Sequence, residues 1–413
     1  MARLNTDVKV YRYTDQGAPQ MTGAAGALQN ILYACLVTGY GSSNVSIMTR
    51  TDSTVTVTIS GGHSFSKYAV IEIAGANESG YNGQHRIESV TSTTFTFTLP
   101  DGVLPASPAT GTITAKMASA GWQRPYVSAD TYRAVYRSTD PQSFGHYLYV
   151  DDTNTWTRRA GAKGYEQVSG IDSRTNPFPW SAADDQWVWW YKSDDNSTAR
   201  YWALVADSRM FYLWVNYNNS NGERICAFGD LIPQFGANDT FCCVVQGQSS
   251  STDPGYCGGM LTLTRPNTPG VGGCHLARDA YGAVLGQKAI AAAISSSHGV
   301  EIYYGFDMYP VDPYGVFSAY LSSTNPYVGG FPLSPIYQVE DRTGMILRGR
   351  LPGLYVPLQN LTGSGTANLT TIPTPDGALL AVWAYASKGQ YVAGYERGPR
   401  GGWVVFDIVG PWR

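Results

Sequence analysis

QWVWWYKSDDNSTARYWALVADSRMFYLWVNY, residues 186–217, is the stretch whose reading decides the fold. Between Trp187 and Tyr217, ten residues are Trp, Tyr or Phe, and they fall into three short runs. Trp187-Val188-Trp189-Trp190-Tyr191 is closed by Ser193-Asp194-Asp195-Asn196, whose short polar side chains hydrogen-bond to nearby backbone and so favour a turn. Arg200-Tyr201-Trp202-Ala203-Leu204-Val205 is closed by Ala206-Asp207-Ser208, and Met210-Phe211-Tyr212-Leu213-Trp214-Val215 completes the set. The spacing predicts a three-stranded antiparallel meander with large side chains on both faces. Such a sheet has to be covered on both faces, which puts it at the centre of a large β-rich domain. The same residues also read as an aromatic platform for sugar or receptor binding. Burial is the favoured reading, because aromatic side chains carry large apolar areas that mostly serve cores. Trp189 and Trp202 are therefore expected to be mostly buried.

The rest of the chain has the same texture. Charged residues make up 14% of 413, against roughly 25% in ordinary globular proteins. Gly (46), Tyr (29) and Pro (23) are abundant, which suits many short strands joined by turns. A net charge of -3 gives no electrostatic case for nucleic acid, which needs a basic patch. The start, MARLNTDVKVYRYTD, has no apolar signal core, and no stretch approaches the roughly 20 apolar residues of a membrane span. The expectation is a chain made in the cytoplasm, without a classical export signal and without a membrane span.

Taken in order, Val8 to Tyr13 alternates and reads as a strand. Thr22 is placed to cap a helix whose Leu28, Ile31, Leu32 and Cys35 form an apolar stripe, with Gly39 as its stop. Thr54–Ser60, Tyr68–Ile73, His85–Val90, Thr94–Leu99 and Gly111–Ala115 are five strand-like runs punctuated by Gly and Pro-Asp-Gly. They predict a small β-sandwich or barrel over residues 50–117, inserted into a main domain made of 1–49 and 118–413. A subdivision is expected near 248–300, where Ala280 to Ile294 reads as a second helix although Gly282 and Gly286 weaken it. The fold class is thus mainly β: a large antiparallel β-rich domain with one or two short helices, plus the inserted module.

Chemistry is sparse. Asp151-Asp152, Asp184-Asp185 and Asp194-Asp195 are paired carboxylates of the kind a glycosidase sets across a cleft. All three sit at strand ends or turns, where Asp is favoured for local hydrogen bonding. His63, His85, His146, His275 and His298 are isolated, and Cys274-His275 with Cys257 lacks the close ligand pairs of a zinc site. Cys35, Cys226, Cys242, Cys243, Cys257 and Cys274 are too scattered for a disulfide framework and read as buried free thiols. There is no nucleophile elbow, and Gly349-Arg350-Leu351-Pro352-Gly353 lacks the ending of a phosphate loop. The sequence assigns no catalytic, cofactor-binding or metal residue and implies no cofactor.

Gly62-His63-Ser64-Phe65, Ile73-Ala74-Gly75, Tyr81-Asn82-Gly83, Val90 and Thr94-Phe95-Thr96-Phe97-Thr98 together resemble a small β module of tailed-bacteriophage virion proteins. The frame around it is Gly17-Ala18-Pro19, Gly23, Ala34 to Gly41, Ala120-Gly121-Trp122, Ala134 to Arg137, Arg348 to Tyr355 and Gly410-Pro411-Trp412-Arg413. It resembles structural proteins of phage and prophage tail regions. The resemblance implies a virion structural component in the tail tip, baseplate or an attached fibre, contributing to assembly and host attachment. It would be assembled in the bacterial cytoplasm beside other virion proteins and copies of itself, and it implies no enzyme activity. The alternative is a receptor-binding adhesin for a cell-surface glycan or pilus; a virion-borne glycan hydrolase is the third reading. On these grounds the recognition surface is expected on the inserted module and in the 308–335 loops.

Overall fold

The computed structural model describes residues 5–153, 159–180, 186–194, 197–218, 223–234, 239–247, 274–283, 289–295, 301–304, 333–340, 346–357, 368–375, 377–387, 391–392, 395–396 and 400–413. It is mainly β, with antiparallel sheets and one short α-helix. At its centre lies a spine sheet in the order Lys9–Arg12, Tyr201–Ala206, Met210–Asn216, Glu223–Asp230, Cys243–Gln246, Cys274–Leu276. Strand alternation divides its side chains between two cores. Trp202, Leu204, Phe211, Leu213, Val215, Cys226 and Phe228 face one. Ala203, Val205, Met210, Tyr212, Trp214, Ile225 and Ala227 face the other.

The first core is closed by a second sheet, Trp122–Val127, Arg133–Ser138, Tyr147–Asp151, Arg159–Gly170 and Ser173–Phe178, whose inner Ala134, Tyr136, Leu148, Val150 and Phe178 pack on the spine. The other core is closed by the C-terminal sheet, which brings Leu351, Leu354, Leu380, Val382, Val404, Phe406 and Trp412. A sheet apolar on both faces is thus covered on both faces, as alternation alone requires.

The expected meander is corrected. Tyr201–Ala206 and Met210–Asn216 do form a hairpin, with Trp202 opposite Val215 and Leu204 opposite Leu213. Val188–Tyr191 does not join them; it pairs with Arg159–Gly170 in the second sheet, Trp189 opposite Gly161. The reason is occupancy: the free edge of Tyr201–Ala206 is taken by Lys9–Arg12, with Tyr11 opposite Leu204.

The first helix is shorter than its apolar stripe suggests. It runs Ala27–Leu32 behind Gly26, not Thr22, and widens into a π-turn over Tyr33–Thr38. Leu28, Ile31, Leu32 and Cys35 are nevertheless all fully buried in the first core. The second expected helix is a strand, Ala289–Ser295, held between Glu301–Tyr304 and Leu333–Glu340. Gly282, at φ +81°, is outside the helical region before it starts.

Residues 40–117 supply two four-stranded sheets, one containing Tyr40–Asn44, Gly111–Met117, Val70–Ala76 and Gly83–Arg86, the other Ile47–Thr51, Thr54–Thr58, Thr94–Thr98 and Ser89–Val90. Thr-Val-Thr-Val-Thr alternation puts Val55 opposite Phe97 and Val57 opposite Phe95, and these four side chains are fully buried. Asn82 builds the Tyr-Asn-Gly turn: its side chain donates to the Ala76 carbonyl (2.8 Å) and accepts from the Ala76 N–H (3.0 Å). The apolar interior of these sheets is continuous with the first core.

Candidate functional site

The face of the second sheet turned away from the spine carries aromatic and cationic side chains in register, with Val135, Tyr149, Tyr165 and Lys163 buried among them. Register places Arg133, Asp151, Gly161 and Trp189 in one row across it, Val135, Tyr149 and Lys163 in the next, and Arg137, Tyr147 and Tyr165 in a third. Arg174 on the neighbouring strand reaches over both Tyr149 (4.0 Å) and Tyr165 (5.4 Å). Arg137 lies over Tyr147 at 4.9 Å, Lys163 over Trp187 at 4.6 Å and Arg159 over Trp189 at 4.7 Å. A cation over a ring face is attracted by the ring's quadrupole, more strongly where water is excluded.

Gly161 makes this arrangement possible. A Cβ there would lie 2.8 Å from the Trp187 ring, so only glycine lets the indole lie down on the strand. Trp187 and Trp189 are half-buried with ring centroids 6.4 Å apart, and Trp187 also approaches Tyr149 at 5.9 Å. Among the described residues the face carries the partly exposed Arg133, Arg137, Arg159 and Arg174 and the carboxylates Asp151 and Asp172, with Lys163 buried. Asp172 is bridged to Arg133 at 3.0 Å. Guanidinium groups beside the half-buried Trp187 and Trp189 rings suit an anionic ligand with apolar faces of its own.

Trp202 is fully buried, with its indole N–H donating to the Pro19 carbonyl at 3.0 Å. Trp189 is covered over most of its surface but, unlike Trp202, is not fully buried. It shares its strand with Trp190, and the alternating pleat sends Trp190 into the core and Trp189 outward under Arg159.

The described members of the carboxylate doublets, Asp151, Asp152 and Asp194, serve the scaffold. Asp152 is fully buried; it accepts from the Leu28 N–H at 2.9 Å, at the start of the helix, and is bridged to the buried Lys192 ammonium. Burial raises its pKa to about 6, with Lys192 pulling the other way. Asp151 accepts from the Thr153 backbone at 3.0 Å, and Asp194 pairs with Arg200. Asp184, Asp185, Asp195, Cys257, His298 and nearly all of the 308–335 loops lie outside the described residues.

Of the described histidines, His85, His146 and His275 are buried and His63 is partly exposed. His85 is stacked on Phe97 at 4.0 Å with Nε2 2.9 Å from the Tyr81 carbonyl oxygen. Cys35, Cys226, Cys242, Cys243 and Cys274 are buried free thiols. Cys274 Sγ lies 3.0 Å from both Gln246 Nε2 and Gln338 Oε1.

Sequence reasoning missed one convergence. One donor atom each from His146, Asp230 and Cys243 lie within 4.8 Å of one another, and all three residues are buried. Asp230 and Cys243 are direct cross-strand partners on the spine sheet, while His146 arrives from the loop ahead of Tyr147–Asp151. Desolvation pushes His146 down to about 4 and raises both Asp230 and Cys243. No local spacing signals the group, because its members come from three separate segments.

No helix among the described residues is long and apolar enough to cross a membrane. No family profile matches the chain, and no curated protein does. Among solved structures it is similar to the Phage phi92 endosialidase at 11% identity and a TM-score of 0.17, over 90% of this chain and 52% of that one. The chain thus spans about half the length of that neighbour. A superposition so loose transfers neither fold nor activity.

Proposed function

We propose that this chain is a structural component of a bacteriophage virion, seated in the tail tip, baseplate or an attached fibre. There it packs beside other virion proteins and copies of itself and holds its 50–117 module toward the host. The observation that carries the reading is how the module is fixed. The Arg86 guanidinium donates to the carbonyls of Asn5, Val8, Ile408 and Val409 outside the module and to Tyr68 within it. Module and body also share one hydrophobic core. A module clamped in this way transmits position and load, as a part in a larger assembly must, instead of swinging on a linker. Val90 and Leu104 leave large apolar side chains exposed on it, and Ile47 does so just ahead of it; the 14% charge content of the chain suits surfaces that end buried between subunits. The sequence resemblance to tail-region proteins points the same way. The test is imaging of purified virions: density matching the two four-stranded sheets, in symmetric copies at the tail, supports the proposal. Absence of the chain from gradient-purified particles refutes it.

The aromatic–cationic face supports a second reading, an adhesin for an acidic cell-surface glycan. It predicts that the purified chain binds acidic glycans over neutral ones, and that Arg174→Gln or Trp187→Ala lowers that binding at least tenfold with the fold intact. Equal binding of neutral and acidic glycans, or full binding by both variants, rejects it.

A further inference from the structure

The geometry points to a transition-metal site at His146, Asp230 and Cys243, taking Zn2+ or a cation of similar size and softness. One nitrogen, one carboxylate oxygen and one sulfur converge within 4.8 Å in the interior. A tetrahedral zinc ion holds such donors roughly 3.3–3.6 Å apart at metal–ligand lengths of about 2.0–2.3 Å. The backbone already sets part of the pairing: Asp230 and Cys243 sit opposite each other in the ladder. The mixed N/O/S donor set is one that zinc accepts and that hard oxygen-seeking cations such as magnesium do not favour.

A second observation is independent of that proximity. His146 is 6% exposed, and its Nδ1 is buried with no hydrogen-bond partner in the structure. A buried imidazole nitrogen left unpaired is costly unless something occupies it. The surroundings also orient the donors, as outer groups do in metal sites. The Phe144 N–H donates to Asp230 at 2.9 Å. The Phe178 ring meets His146 edge-on, centroids 5.6 Å apart at 90°. Carboxylate, thiolate and neutral imidazole together balance a divalent charge, the thiol proton leaving to solvent as the metal–sulfur bond forms. Among the described residues there are three protein ligands, so water completes a tetrahedron. The ion would tie the loop at His146 to the spine sheet.

The test uses the full chain, stripped with chelator and titrated with Co2+ or Zn2+ alone. One equivalent of Co2+ is expected to produce a thiolate-to-cobalt charge-transfer band, and one equivalent of Zn2+ to abolish it by competition and to raise the unfolding temperature. Cys243→Ser is expected to lose the band, whereas Cys226→Ser and Cys242→Ser keep it. No band in the wild type, or a band that survives Cys243→Ser, overturns the assignment. Should Cys243→Ser fail to fold, His146→Gln decides: at least a tenfold loss of Co2+ affinity supports the site, and unchanged affinity overturns it.

Discussion

Replacing Arg86 with methionine should destabilise the whole molecule and not the module alone. Arg86 is 2% exposed, and its guanidinium makes bonds of 2.5 Å to Asn5, 2.6 Å to Tyr68, 2.7 Å to Ile408, 2.6 Å to Val8 and 3.2 Å to Val409, all at backbone carbonyls. Desolvation lowers its pKa to about 10, partly offset by Asp407 and Asp7, so it is charged at neutral pH. Five hydrogen bonds to a charged group, at about 1.5–3 kcal/mol each, sum to about 7–15 kcal/mol. Methionine recovers roughly 3 kcal/mol by not burying a charge, the equivalent of the pKa depression. Partial rehydration of the outer carbonyls recovers more, which leaves an expected loss of about 3–6 kcal/mol. Lysine, with three donors on a point charge, should fall between. The assay is urea unfolding of the full chain followed by both intrinsic fluorescence and circular dichroism. If unfolding shows two transitions, both should move, because Arg86 joins strands on either side of the boundary. A loss under about 1 kcal/mol, or one confined to a single transition, refutes the clamp.

Three further outcomes are expected. Gly164→Ala would put a Cβ 2.1 Å from the Phe178 ring, so it should lower stability by about 1–3 kcal/mol or more through overpacking, seen as a lower thermal midpoint; an unchanged midpoint would show the ring free to move. Trp202→Ala should cost about 3–5 kcal/mol and Trp189→Ala much less, since the first is fully buried and the second half-buried; equal losses in denaturant titrations would contradict the assignment of faces. Asp152 gives a pH dependence. Its folded pKa is raised from 3.8 to about 6, chiefly by desolvation, so the folded state binds this proton more tightly than the unfolded chain. Its contribution is present in full below about pH 4 and lost as pH rises through about 6. The stability of the wild type relative to Asp152→Asn should therefore grow on acidification from pH 7 to pH 4, and a difference that shrinks rejects the assignment.

Alternation was legible where one run of residues supplied all the information. Val55 and Val57 inward with Thr between them, or Trp202 and Leu204 against Ala203 and Val205, follow from a period of two and nothing else. Partner choice was not legible. Trp187–Tyr191 reads as the first strand of a meander because it precedes two similar runs, yet Lys9–Arg12 reaches that edge from the start of the chain. The competition is settled by long-range pairing that no window of sequence contains. The Ala-rich run at Ala289–Ser295 fails for the same reason: its composition favours a helix, and strands on both sides override it.

The same limit decides which candidate sites sequence could find. The doublet at Asp151-Asp152 is visible because its members are adjacent, and adjacency is what makes it scaffold. In an extended strand neighbours point apart, so Asp152 turns inward to the helix and Lys192 while Asp151 stays on the outer face. Groups that act together are more often brought from separate segments. The aromatic–cationic face assembles from the strands Arg133–Ser138, Tyr147–Asp151, Arg159–Gly170, Ser173–Phe178 and Val188–Tyr191 with Trp187, and the His146–Asp230–Cys243 group from three segments. Trp187 and Trp189 show how little separates the two outcomes. Had their strand taken the edge of the spine, which is covered on both sides, both faces would have been core. Lys9–Arg12 displaced it to the second sheet, and that displacement leaves Trp187, Trp189 and Arg159 partly exposed.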